Sequence, residues 1–392
     1  MVEERGSKAF LLPSLIVAAS SIDPPSLVVN FNLIEIALLF QIDLSLAGQL
    51  QSTSSLFGIV SALAIGAVSV RYDHKSILSA GLALILLSAL ACVAAPSFAL
   101  LVVSFSIIGF GSSFVSPMIY SFIGERFDAG ERSRAIGLMY ALRTVSYMLI
   151  IQLMGYTAAV WSWRQLFLLV VVPYSLLGLA LVVLSLPSIR STDEGRGGFL
   201  KGYRTIFSNR SAVSCLVGNT LYTVAWQGIV IYTASFVRER FQTSKSQASL
   251  VLTALSIGVV VGSYVGGWLV NRFNRKRTTV FSAFVVSLLI MCFMNMPSYT
   301  LTLAVIPAMS FFGGVILTAA DTFTLEQAPT ARGTMMSTNS VAMKLGNALG
   351  AAVGGLILML FNWSAVGIVL GLLGIVSAGI YRLLTEEPGG IS

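Results

Sequence analysis

The chain has 392 residues, of which 56% are hydrophobic and only 10% charged, so it is far more apolar than an average soluble domain. That composition excludes a water-soluble enzyme and a disordered binding region, and it makes a bilayer the solvent. A net charge of +8 does not point to nucleic acid, because the basic residues stand in short clusters between apolar runs instead of along one face.

The first apolar run follows a start of mixed charge, MVEERGSK; it is too long for a signal-peptide core and lacks a small-residue cleavage site, so it reads as a membrane helix over 9–31. Within it, SSIDPPSLVVNFN sets the carboxyl of Asp23 before Pro24 and Pro25, which remove backbone donors and open the helix. Further spans are predicted at 46–70, 76–95, 98–123, 134–159 and 164–186, each near the ~20 residues that cross a hydrocarbon core. The fifth, AIGLMYALRTVSYMLIIQLMGY, carries Arg143 at mid-depth. A guanidinium there costs about 2.5–3.5 kcal/mol and needs either a partner or a function. A polar, Gly-containing, basic stretch over 189–211 reads as a linker, and six more spans follow at 212–236, 247–270, 278–296, 299–325, 334–360 and 364–384.

The expected architecture is an all-α integral membrane protein of twelve transmembrane helices, with a six-helix bundle over 1–188, a cytoplasmic linker over 189–211 and a second bundle over 212–392. Placing both termini in the cytoplasm leaves 18 of the 24 Lys and Arg residues inside and four outside, and this excess sets the orientation in a cell membrane. Cys92, Cys215 and Cys292 all lie in apolar runs and suggest neither a disulfide framework nor a metal site.

The halves repeat each other. GAVSVRYDHK (66–75) and GWLVNRFNRK (267–276) align at a displacement of 201 residues, with Gly66 on Gly267, Arg71 on Arg272 and Lys75 on Lys276. ERFDAGERSRA and EQAPTARGTM echo each other at nearly the same displacement, setting Glu125 against Glu326 and Arg132 near Arg332. Two such matches indicate a duplicated six-helix unit.

These loops resemble the G-x-x-x-D-R-x-G-R-K loop of the major facilitator superfamily, and WSWRQLF with Pro173 is similar to the family's W-R-x-x-F at the start of the sixth helix. The likeness spans nearly the whole chain and extends loosely to the twelve-helix drug and metabolite exporters. The chain departs from the pattern at Val70 and Asn271, where the loop Asp stands, at His74, where the family has Arg, and at Phe105, where many proton-coupled members have Arg. The resemblance implies a central cavity lined by helices 1, 4, 7 and 10 with parts of 2, 5, 8 and 11.

Polar residues recur at three- and four-residue spacing on four of those helices: Asp23, Ser26 and Asn30; Tyr140, Arg143 and Tyr147; Asn219, Tyr222 and Trp226; Ser340, Lys344 and Asn347. In lipid such stripes face protein or a wet cavity. Lys344 lies 201 residues after Arg143, and at 1.5 Å per residue both sit roughly 15 Å from the cytoplasmic starts of their helices. The predicted substrate site is therefore Arg143, Lys344, Tyr140, Tyr147, Asn219, Tyr222, Trp226, Asn347 and Asn30. The competing reading is that Asp23 merely neutralises one of the cations. Asp23 itself is read either as the proton-coupling carboxyl or as that structural partner.

A cytoplasmic gate is expected from Glu125 with Arg71 or Arg132, and from Glu326 with Arg272 or Arg332, with Asp321 nearby; His74 is read as a solvated loop residue. Gly346, Gly350 and Gly354 are read as a close-packing stripe. There is no nucleotide-binding loop and no metal-ligand spacing, so no enzyme and no cofactor is expected. The functional expectation is a monomeric secondary transporter working by alternating access, its partners a small organic anion or other polar metabolite, protons and the lipid bilayer. The alternative is an exporter of lipophilic drugs by proton antiport.

Overall fold

The computed structural model describes residues 2–68, 72–127, 129–157, 160–188, 203–329 and 332–387. Among them there is no strand, and twelve long helices are numbered here in chain order. Helix 1 is broken into Val2–Ser20 and Asp23–Phe31, followed by helices 2 (Leu44–Val68), 3 (His74–Ala94), 4 (Phe98–Arg126), 5 (Ala129–Thr157) and 6 (Trp163–Ser185). Helices 7 (Arg210–Phe241), 8 (Lys245–Arg272), 9 (Arg275–Asn295), 10 (Tyr299–Glu326), 11 (Arg332–Leu360) and 12 (Trp363–Leu384) complete the set.

Nine of these are long and apolar enough to span a membrane, or ten if the bent pair Leu33–Phe40 plus Leu44–Ala62 is one span. The boundaries follow from capping chemistry. Asp73, Ser97, Asn274, Ser298 and Asn362 each accept a backbone N–H at the start of helices 3, 4, 9, 10 and 12. Ser162 with Gln165 and Ser244 with Gln247 form reciprocal boxes at the starts of helices 6 and 8.

Helix 1 breaks where Pro24 and Pro25 occupy the first turn of its second part, as their missing N–H groups require. A short helix, Leu33–Phe40, fills what the sequence reads as a loop; it ends at Gln41 in the left-handed conformation, φ 54°, and the chain then turns by 113° into helix 2. Helix 6 carries a π-helical turn over Phe167–Val171, where the lack of a donor at Pro173 loosens the ladder.

The chain divides into two compact units, Met1–Ile42 with Thr53–Asp193, and Asp43–Ser52 with Glu194–Ser392. The opening turns of helix 2 thus belong to the second unit, where Ser52 Oγ donates to the Ala348 carbonyl at 2.7 Å and Gln49 Nε2 to that of Ala351 at 3.5 Å. In the same unit the stripe on helix 11 packs as expected. A Cβ on Gly346 would strike the Thr220 carbonyl at 2.8 Å, and one on Gly350 would strike that of Val224 at 2.8 Å.

Helices 8 and 10 approach just as closely. A Cβ on Gly314 would collide with the Val259 carbonyl, while Ser263 Oγ donates to the Gly314 carbonyl at 3.2 Å and Thr318 Oγ1 to that of Ser263 at 3.1 Å. Overpacking such a seam typically costs about 1–3 kcal/mol. Gly314→Leu is accordingly expected to lower the thermal unfolding midpoint of the detergent-solubilised protein; an unchanged midpoint would show that the seam is not tight.

Candidate functional site

In the first unit the break in helix 1 presents Asp23 to Arg143 of helix 5. Arg143 donates from Nε to Oδ2 at 2.5 Å and from Nη2 to Oδ1 at 2.7 Å, two nearly parallel charge-assisted bonds between side chains 27% and 23% exposed. The guanidinium in the apolar fifth helix therefore has a local partner. Each charge also holds the other: removing one member of a buried pair costs about 3–5 kcal/mol, because the survivor is left uncompensated. Tyr147, one turn beyond Arg143, lies within electrostatic reach of the Asp23 carboxylate. Asn30 is half-buried further along helix 1, and the Tyr140 side chain lies outside the described residues. Tyr174 of helix 6 donates to Ser146 Oγ at 3.1 Å and braces helix 5 beside the pair.

In the second unit, Lys344 and Asn347 lie one turn apart on helix 11, both half-buried. The Asn347 Oδ1 atom is buried and has no hydrogen-bond partner among the described residues. Tyr222 and Trp226 stack at 6.4 Å and 18° and are only 4% and 6% exposed, with the indole seated against Gly313. Both belong to the packed core of this unit.

Asn219 of helix 7 lies at the centre of a buried polar chain. Its Nδ2 donates to Thr324 Oγ1 at 2.8 Å and to Asn339 Oδ1 at 2.6 Å, and its Oδ1 accepts from the Tyr381 hydroxyl. Asn339 Nδ2 in turn donates to Asp321 Oδ1 at 3.2 Å. Asp321, expected beside the other gate residues, instead ends this chain and lines a cleft with Asn219, Tyr222, Thr223 and Met343.

At one end of each unit stands a matching acid–base pair. Glu326 is paired with Arg275, the first residue of helix 9, while Arg272 lies over the Trp268 ring at 5.3 Å. Glu326 was expected to meet Arg272 or Arg332; helix 8 ends at Arg272, and it is the first turn of helix 9, capped by Asn274, that reaches the acid. The Arg332 side chain lies outside the described residues. Glu125 lies 3.5 Å from Nδ1 of His74, and Arg71 and the Arg132 side chain lie outside the described residues.

His74 is not a solvated loop residue: it is 4% exposed, opens helix 3 and sets its ring edge-on to Phe122 at 6.2 Å and 71°. His74 and Arg275 occupy the same position of the 201-residue repeat, as do Glu125 and Glu326. A titratable imidazole thus stands in the first half where a permanent guanidinium stands in the second. That relation is contained in the same 201-residue alignment that sets Arg71 on Arg272.

A family model described as Major Facilitator Superfamily matches residues 14–241 and again 215–391. The MFS-type transporter YceJ of Bacillus subtilis (strain 168) is 24% identical over 349 residues, covering 88% of this chain and 89% of its own length. The putative transporter AraJ of Escherichia coli (strain K12) is 26% identical over 329 residues, 81% of this chain and 80% of that one. Among solved structures, a bacterial homologue of the human lysosomal transporter Spinster superposes with a TM-score of 0.81 at 16% identity, covering 98% of this chain and 99% of its own.

Proposed function

The chain belongs to the major facilitator superfamily, and from that premise we propose that this membrane transporter carries a small organic anion, coupled to protons, by alternating access. One observation supports this reading most: a carboxylate and a guanidinium, held by two short bonds, on two helices of the first unit. A carboxylate-bearing substrate offers Arg143 the same planar acceptor that Asp23 offers it. Protonating Asp23 removes its charge, frees the fork for the substrate and leaves the site neutral; deprotonation reverses the exchange. One proton then accompanies one anionic group. In the second unit, Lys344 at the corresponding place in the repeat carries a positive charge, and Asn347 Oδ1 is left over to accept a hydrogen bond.

The test is uptake into proteoliposomes under an imposed pH gradient. Carboxylates, neutral sugars and lipophilic cations are compared after a thermal-shift screen has picked out ligands of the native state. Accumulation of a carboxylate that collapses with the gradient is expected. The second reading, export of lipophilic compounds by proton antiport, draws on a partial likeness to multidrug resistance protein 3 of Bacillus subtilis (strain 168), 28% identical over 172 residues; stabilisation by lipophilic cations alone would select it.

The pairs His74 with Glu125 and Arg275 with Glu326 are proposed as the cytoplasmic gate. Removing the acid in both halves, by Glu125→Gln and Glu326→Gln, is expected to shift the inward- and outward-facing populations in distance measurements between spin labels across that face. Unchanged populations would dismiss the gate.

A further inference from the structure

Two carboxylates lie within membrane-spanning helices of the transporter, Asp23 on helix 1 and Asp321, an exposed side chain near the end of helix 10, and their surroundings differ. Asp23 is matched by Arg143. Asp321 forms no ion pair among the described residues, and the neutral amide of Asn339 donates a hydrogen bond to it. An unmatched carboxylate in a membrane-spanning helix is costly and marks an ion or proton pathway.

The hydrogen bonds around Asp321 all run one way. Tyr381 donates to Asn219, Asn219 to Asn339, and Asn339 to Asp321. An ionised carboxylate is acceptor-only, so it forces Asn339 to turn its NH2 group inward; the Oδ1 of Asn339 then faces Asn219, whose own Oδ1 is left to accept from Tyr381. The direction of every link is thus set by the charge at its end. A protonated Asp321 becomes a donor, and the order of the amides is no longer imposed. The chain ties together helices 7, 10, 11 and 12, all within the second unit.

Nothing in the shared six-helix design demands this arrangement. At the 201-residue displacement, Asp321, Thr324 and Asn339 correspond to Tyr120, Ile123 and Leu138 in the first half, which cannot form it. The cleft beside Asp321 has room of the order of one water molecule, enough to deliver a proton but not an organic ligand. The other titratable groups around it are Cys215 on helix 7 and Tyr381 on helix 12, both within electrostatic reach, and Tyr222 on the cleft wall. Lys344 follows Met343 on helix 11, and Glu326 at the end of helix 10 is committed to Arg275 of helix 9.

We propose that Asp321 is a second proton-binding group of this transporter, loaded from the water-sized cleft, and that the chain through Asn339 and Asn219 to Tyr381 relays its state to helices 7 and 12. The step adds a proton from water to a carboxylate oxygen and breaks no covalent bond. The proposal extends the proton-coupled reading above, and it is tested without transport.

Infrared difference spectra of the full-length protein between high and low pH are expected to show a carboxyl C=O band that is lost in Asp321→Asn and kept in Asp23→Asn. In Asn339→Leu the band should persist but move to higher frequency, since the carbonyl loses a donor; a merely structural Asn339 would leave the frequency alone. Asp321→Glu, which keeps the group, should retain a displaced band and so guards against loss by misfolding. A band unchanged in a folded Asp321→Asn protein would overturn the proposal. Absence of gradient-driven uptake by the wild type, with this band intact, would instead remove the coupling reading and leave the site standing.

Discussion

Arg143→Lys is expected to weaken binding of the anionic substrate about 10- to 150-fold although the charge is kept. The guanidinium holds a carboxylate by two parallel N–H···O bonds, as it does with Asp23, whereas an ammonium offers a point charge without that planar fork. Losing one charge-assisted bond is worth about 1.5–3 kcal/mol, which gives the stated range. Arg143→Gln should abolish transport, as should Lys344→Gln. Because Arg143→Gln strands the Asp23 carboxylate, instability and lost function must be separated. The double variant Asp23→Asn with Arg143→Gln removes both charges and should recover thermal stability without recovering transport. Equilibrium binding and initial uptake rates check each variant; full activity in the double variant, or unchanged affinity in Lys344→Gln, would rule out the anion site.

Asp23→Asn is expected to abolish gradient-driven accumulation while sparing exchange of labelled for unlabelled substrate. An amide resembles a permanently protonated carboxyl in shape and charge, so Arg143 stays available to the substrate throughout the cycle. Exchange requires no change in protonation; uphill movement does. Counterflow and pH-jump uptake on one reconstituted preparation give both readouts. Loss of the two together would make Asp23 a structural partner of Arg143 and no more.

Most of the helical framework was legible because several long apolar runs are opened by a capping residue, as at Ser97, Asn274 and Asn362. The short helix Leu33–Phe40 was not, since eight mostly apolar residues are too few to span a membrane and too few for periodicity to separate helix from loop. Depth along a helix placed Arg143 near the midplane but left open whether Asp23 would be its partner, because a side-chain meeting depends on helix rotation and on the break at Pro24. The Asp321 chain was only partly visible. Its four members lie on four helices, and polar stripes mark faces without saying which faces meet. His74 was misread because a polar loop motif reads as solvated; Asp73 caps the helix, and the ring one residue on turns back against Phe122.

The opening turns of helix 2, counted with the second unit, impose an order on biosynthesis. Ser52 donates to the carbonyl of Ala348, a residue 296 positions later in the chain. At about 5–20 residues per second, roughly 15 to 60 s of translation separate the two. Through that interval a segment of the first half waits in the membrane for its partners, so the last stage of folding belongs to some of the earliest residues made. A fragment beginning at Glu194 lacks them altogether. Gly48, which packs under the Tyr232 ring, is then missing, and the second half made alone is left with an unfilled groove beside helix 11.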